Sequence, residues 1–560
     1  MLHPRLAVPC VGAALALAPS AGAQTQLHLS FQGPAISFGQ SVDLLGDVNG
    51  DGLSDFMVGA WRTDPGGLND AGTVFVFSGA DGSLLYRVDG SGAGDHMGYG
   101  SSLAGDLNND GLLEICAAAD EDNAGFTNNG SVRIVNGADG SEITTVVGDS
   151  ANDLFGWATT DLGDVDGDGN DDFASTSLFG EVGSPVNTGS VSVFSGANLS
   201  APLWNAAGDS SNDFFGFSVG RAGEVLGDGL NQVIVGAPSD DPNGTSSGSA
   251  WVLRGMDGSV IYKLDGESAG DEFGSSVSGG VDVNRDGFDD LIVGAPGDDD
   301  GGNNAGAVYV FSGADGSQLY KFLGVAGTDR LGASVAGGGD LDGDGYGDVI
   351  GGAPQNDQQA FNAGALFCFS GKDGSLIFQV NGDAGNRQLG NAASGGEDVD
   401  GDGLDDAMGG AVNANRAQVF SLRPQGVTHF GSGTAGCQGA EILAAQGLPQ
   451  VGNADFALAG APGPAGGVGL LALTDVGDLL GSDPLGLGVQ LHVALPPISS
   501  NLELFPAVYD ATGAWELATP IPNDAGLAGA TVFLQHASIW GAACGQLLGT
   551  SNGIEVTLLP

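Results

Sequence analysis

Asp398-Val-Asp400-Gly-Asp402-Gly-Leu404-Asp-Asp406 places four carboxylates at the first, third, fifth and ninth positions of one short loop. That alternation suits a hard cation. Calcium takes six to eight oxygen ligands, and an alternating acidic loop can wrap around it. The glycine after the third carboxylate lets the backbone turn sharply, so that the carbonyl of Leu404 can also point inward. One acidic, glycine-rich turn is a common feature of protein surfaces and decides little alone. The recurrence of the loop along the chain is what carries weight.

Seven copies are in phase, beginning at Asp47, Asp106, Asp164, Glu224, Asp282, Asp340 and Asp398, with steps of 58 to 60 residues. A period this regular marks an array of equal structural units. Each unit opens on a Phe-Gly pair read as a strand start: Phe38-Gly39, Phe155-Gly156, Phe215-Gly216 and Phe273-Gly274, with Met97-Gly98, Leu331-Gly332 and Leu389-Gly390 as variants. The acidic loop follows, then an apolar run such as Asp290-Leu-Ile-Val-Gly-Ala-Pro296. Two further runs, such as Ala307 to Ser312 and Gln318 to Phe322, flank a Gly-Ala-Asp-Gly-Ser turn. Short runs rich in Val, Ile, Phe and Tyr, bounded by Gly and Asp, read as strands, and the Asp-Gly turn suits a tight hairpin. No helical period interrupts them. The expectation is an all-β chain: seven four-stranded sheets in a seven-bladed β-propeller. The seventh unit lacks a fourth strand, and Leu27 to Phe31 resembles the missing segment. The N-terminal strand is therefore expected to complete the seventh blade and remove two exposed sheet edges.

The chain has 560 residues, 103 of them glycine, and 69 acidic against 14 basic residues, for a formal charge of −55. Such a balance argues against nucleic acid, which needs a basic footprint, and against anionic lipid. Residues 1–23 read as a secretory leader, with a short apolar run from Leu6 to Ala18 and Ala21-Gly22-Ala23 before the cleavage point. No later stretch is apolar enough for a membrane span. Cys116 and Cys368 fall in strand-like runs and read as buried apolar side chains, whereas Cys437 and Cys544 could pair in an exported protein. After Pro424 the acidic loops stop, and residues 425–560 read as a small β-sandwich-like accessory domain behind a propeller over 24–424.

The Phe-Gly openings, the Gly-Ala-Pro endings (Gly236 to Pro238, Gly294 to Pro296, Gly352 to Pro354) and the acidic loop between them resemble FG-GAP repeats. These build the seven-bladed propeller of integrin α subunits and occur in secreted bacterial proteins. The resemblance implies a loop that binds Ca²⁺ between the first and second strands of a blade, and six units keep the pattern. They offer Asp47, Asn49, Asp51, Leu53 and Asp55; Asp106, Asn108, Asp110, Leu112 and Glu114; and Asp164, Asp166, Asp168, Asn170 and Asp172. The later three offer Asp282, Asn284, Asp286, Phe288 and Asp290; Asp340, Asp342, Asp344, Tyr346 and Asp348; and Asp398, Asp400, Asp402, Leu404 and Asp406. The fourth unit departs, with Leu226 and Gln232 at ligand positions, so up to six calcium sites are expected. Family sites of this kind brace blades rather than catalyse.

If one face carries the calcium loops, the connections after the second and fourth strands of each unit lie on the other. Trp61, Arg62, Phe126, Phe179 and Phe361 are candidate contacts there for a protein or glycan partner. The leading function is a secreted or cell-surface binding and adhesion scaffold. The six histidines are scattered, and no nucleophile elbow or phosphate loop occurs. A polysaccharide-active hydrolase using paired carboxylates and a purely structural envelope protein stay open as alternatives. The oligomeric state is not legible.

Overall fold

The computed structural model describes residues 23–33, 36–180 and 187–424 and, further on, strand backbone only, between Val427 and Thr557. Every second strand begins on the ninth loop position and is buried along its whole length, and most run apolar, as in Asp290–Ala295; in the third blade Asp172–Ser177 ends on Ser-Thr-Ser. A strand covered on both faces reads as a continuous apolar run rather than an alternating one. Its neighbours in that blade are Ser276–Val281 before it and Ala307–Phe311 and Gln318–Leu323 after it, all antiparallel in chain order. Six sheets repeat this order.

The seventh sheet is assembled from both ends of the described ring. Leu389–Glu397, Asp406–Ala411 and Arg416–Pro424 are followed by Ala23–Gln32 as the fourth strand. Phe31 lies opposite Ala417 and Leu29 opposite Val419. The expected closure is thus present, with a strand longer than the Leu27–Phe31 segment. At the seam, Phe38, Val42, Phe56 and Val58 of the first blade pack with Val399, Met408, Ala417 and Val419 of the seventh. Phe31 joins them, its ring centroid 4.8 Å from that of Phe56 and 4.9 Å from that of Phe77. The first strands of all seven blades line an axial cavity of about 440 Å³.

The Phe-Gly pairs correct one expectation. In five of the seven units they precede the first strand by a few residues; only at Phe155 and Leu389 does the strand include them. Their role is to lock neighbouring blades. Gly274 has φ +88°, and a Cβ there would collide with the carbonyl oxygen of Ser249 in the preceding blade. Its N–H donates to Gly294 O of its own Gly-Ala-Pro segment (3.0 Å). Gly294 in turn has no room for a Cβ because Gly332 O of the next blade's pair fills the place. The signature glycines therefore interlock blade to blade, and the Phe, Met or Leu before each is buried. Gly274→Ala is expected to destabilise by about 3 kcal/mol or more, from left-handed strain plus backbone collision. Gly270→Ala, also at positive φ (+89°) but with nothing near its Cβ position, should cost only about 1–2 kcal/mol. Thermal melts of the two variants side by side check this; equal losses would contradict the interlock.

Cys116 and Cys368 are buried free thiols, as expected. Among the described residues no helix is long and apolar enough to cross a membrane. The sandwich expected over 425–560 and the Cys437–Cys544 pairing lie outside the described residues, save for strand backbone. The leader expected over 1–23 lies outside them too, except for Ala23.

Candidate metal centres

Each acidic loop joins the first strand of its blade to the second, and its shape comes from its own acids. In the fifth blade Asp282 Oδ1 accepts from Asp286 N–H (3.1 Å) and Oδ2 from Gly287 N–H (2.9 Å). Asp286 Oδ1 accepts from Phe288 N–H (3.0 Å). Short acidic side chains that bond the backbone ahead of them make such turns locally stable. The same first-position bonds recur at Asp47, Asp106, Asp340 and Asp398, while Asp164 keeps the Oδ2 bond from Gly169 N–H but accepts at Oδ1 from Gly167 N–H. The seventh-position residues Leu53, Leu112, Asn170, Tyr346 and Leu404 repeat the Phe288 contact with the fifth-position acid.

The ninth-position acid is the buried member. Asp55, Glu114, Asp172, Asp290, Asp348 and Asp406 are all 0% exposed. Each accepts the N–H of the loop's second residue, from Val48, Leu107, Val165, Val283, Leu341 and Val399 at 2.8–3.0 Å. In four blades its other oxygen accepts from the glycine of the Gly-Ala-Asp-Gly-type turn or its equivalent: Gly79, Gly196, Gly313 and Gly371. Blade seven has no such turn, and Asp406 Oδ1 is buried without a hydrogen bond. Asn284 Oδ1 in blade five is likewise buried without one.

No lysine or arginine is paired with any of these six ninth-position acids among the described residues. Burial and the neighbouring loop carboxylates therefore push their carboxyls up: Asp55 to about 6, Glu114, Asp172 and Asp290 to about 7, Asp348 to about 8, and Asp406 well above its ordinary value. A buried, unpaired carboxylate is costly, and a cation among the oxygens relieves that cost. Three carboxylate oxygens from Asp164, Asp166 and Asp172, and three from Asp340, Asp342 and Asp344, lie within 4.8 Å of one another. The donor sets are all oxygen, and with the buried oxygens of Asn284 and Asp406 they fit a calcium-type ion.

The fourth loop shows the alternative. Gln232 replaces the ninth acid and is 1% exposed. Its Oε1 accepts from Gly255 N–H (2.9 Å), as the acids do from their glycines, while its Nε2 donates to Leu230 O (2.7 Å). Arg254 reaches Asp228 Oδ2 at 3.1 Å. In the fourth loop an amide thus stands where the other six have a buried acid, and a guanidinium meets its fifth-position acid, much as Lys372 approaches Asp344 in the sixth loop (3.6 Å).

On the opposite face, Phe126 and Phe361 are exposed, 56% and 67%. Trp61 is half-buried with the Arg62 guanidinium 4.1 Å over its ring, and Phe179 packs edge-on against Phe214. Sequence reasoning missed the aromatic residues just after the Phe-Gly pairs. Tyr99, Trp157 and Phe217 follow one another across three blades with centroids 4.8 Å and 5.8 Å apart, and Trp61 extends the row at 6.0 Å from Tyr99. The signal was present as three aromatics at one repeat position, where other units carry Gln40, Ser275, Ala333 and Asn391.

Comparison with known proteins agrees with this architecture. The FG-GAP repeat family model matches residues 273–311 and 331–367, within the fifth and sixth blades. Integrin alpha-5 of Xenopus laevis is 33% identical over 235 residues, covering 39% of this chain and 22% of that protein. Integrin alpha-V of Gallus gallus is 31% identical over 207 residues, with 34% and 19% covered. Integrin alpha pat-2 of Caenorhabditis elegans is 32% identical over 240 residues, with 38% and 19% covered. The matches span about a fifth of the length of these curated relatives. With seven interlocked units closed into one ring, the chain carries an integrin-α-like FG-GAP β-propeller.

Proposed function

We propose that the chain is an exported binding scaffold, a calcium-braced propeller that presents the face opposite its acidic loops to a protein or glycan. The observation that carries this reading is the aromatic row Trp61–Tyr99–Trp157–Phe217. Aromatic side chains supply large contact area at little entropic cost and dominate interface energetics. Here they are half-buried, held by the ring itself, with Trp157 Nε1 donating to Phe217 O (3.1 Å). A rigid row is organised before a partner arrives, which lowers the ordering cost of binding. In six loops the ninth-position acid, with its first-, third- and fifth-position partners, would hold calcium. The ion would supply positive charge and fix the loop; no reaction is assigned to it. The leader-like start at residues 1–23 and the net acidity fit an exported, calcium-rich setting.

The test is a glycan array together with a displayed library of extracellular protein domains, probed in calcium. Saturable binding to one ligand class is expected. Trp157→Ala should weaken it by about 2 kcal/mol, roughly thirtyfold, in binding measured well below the melt, which also falls because a half-buried ring packed on Tyr99 and Phe217 is removed. One observation favours a second reading. Asp43 and Asp161 face the axial cavity, and burial pushes the Asp43 carboxyl up to about 6. Polysaccharide turnover that is lost in Asp43→Asn, with no ligand found on the array, would replace the scaffold reading by a hydrolase.

A further inference from the structure

We propose that His96, Asp120 and Glu121 form a site for one first-row transition-metal cation of the zinc class, on the face opposite the acidic loops. His96 precedes the Met97-Gly98 pair of the second blade, and Asp120 and Glu121 follow its second strand, Glu114–Ala119. The residue after that strand is apolar in every other blade: Trp61, Leu178, Pro238, Pro296, Pro354 and Val412. In the second blade alone it is a carboxylate. Asp120 is 2% exposed, and its Oδ1 accepts no hydrogen bond. Nothing in the fold of the repeat calls for an acid there.

That bare oxygen faces the cluster, 3.9 Å from His96 Nδ1. Glu121 Oε1 is 3.5 Å from the same nitrogen, and one donor atom of each of the three residues lies within 4.8 Å of the others. Zinc bonds of about 2.0–2.2 Å to nitrogen and oxygen place tetrahedral ligands about 3.4 Å apart, so small side-chain shifts close the set. An imidazole donor separates this site from the all-oxygen calcium loops, because borderline transition metals take nitrogen and hard cations prefer oxygen. Three protein ligands leave a fourth position for water or a partner's donor group.

Two other acidic clusters on this face already hold a cationic side chain. Lys263 lies 2.6 Å from Asp240, beside Asp209 and Asp213. Lys321 lies 2.8 Å from Glu267 and 3.1 Å from Asp298. In strand register their counterpart in the second blade is Thr145, and no lysine or arginine pairs with Asp120 or Glu121 among the described residues. The Trp61 ring packs edge-on against His96 at 4.5 Å.

The test is a titration of the untagged, full mature chain with Zn²⁺, and with Co²⁺ as an optical probe, in millimolar calcium so that the acidic loops are filled. One equivalent is expected to bind despite the calcium, with the strong visible absorption of four-coordinate cobalt. His96→Leu and Asp120→Ala should each weaken binding at least about tenfold. Without zinc, Asp120→Ala should melt no lower than the parent, since it removes a buried carboxylate with an unbonded oxygen; zinc should then raise the melt of the parent only. No uptake in the presence of calcium, or uptake unchanged in both variants, would overturn the site and leave a plain histidine–carboxylate ion pair.

Discussion

Chelation of divalent cations is expected to lower the melting temperature of the propeller by about 10 °C or more. At ten times its dissociation constant, a site formed only in the folded state contributes about 1.4 kcal/mol. Six such sites together contribute about 8 kcal/mol, comparable with the whole stability of an ordinary domain. A pH dependence goes with it. In the metal-free chain the buried carboxyls of Asp55, Glu114, Asp172, Asp290 and Asp348 are raised to between about 6 and 8, from ordinary values of 3.8 or 4.5. The folded state then binds protons more tightly than the unfolded one. Their contribution is full below the ordinary values and is lost as pH rises through about 6 to 8. The metal-free protein should therefore melt lower at pH 8 than at pH 5. Calcium, which needs the ionised acids, should stabilise more at pH 8. Melting curves at both pH values, with metal removal verified, check both signs; a melt indifferent to chelator would contradict the bracing.

Opening the ring is expected to do comparable damage. Removing Ala23–Gln32 strips the fourth strand from the seventh blade and bares the edge of Arg416–Pro424. It also takes Phe31 from between Phe56 and Phe77. Loss of one such aromatic costs about 3 kcal/mol, and a bare, regular edge invites pairing with another chain. The truncated chain should aggregate and lose a single cooperative melt, and Phe31→Ala alone should lower the melt while staying monomeric. Size-exclusion chromatography and calorimetry separate the two. A truncated monomer with the parent's melting curve would show that the ring does not depend on its closure.

The ring and the loops were legible because both are written in period. Each unit carries its strands and loop at a fixed offset, and local acid-to-backbone bonds fix the loop within nine residues. Even the exception, Leu226 with Gln232, was visible as a broken pattern. What sequence did not show is whatever joins residues of different units. The Phe-Gly pair looked like a strand start, but its glycine is fixed by a carbonyl of the blade before it. Tyr99, Trp157 and Phe217 are 58 to 60 residues apart and meet only because neighbouring blades stand side by side. His96 and Asp120 lie 24 positions apart, on two connections that converge on one face. The Gln232 amide and Arg254 took on their roles only once the hydrogen bonds were in view.

The central claim is that six loops hold calcium while the fourth is braced by its own side chains. Equilibrium dialysis of the metal-free mature chain against calcium, with bound metal counted directly, tests it most directly. Six equivalents per chain are expected, falling to five in Asp348→Asn and unchanged in Gln232→Ala. No bound calcium, or a count that ignores Asp348→Asn, would contradict it.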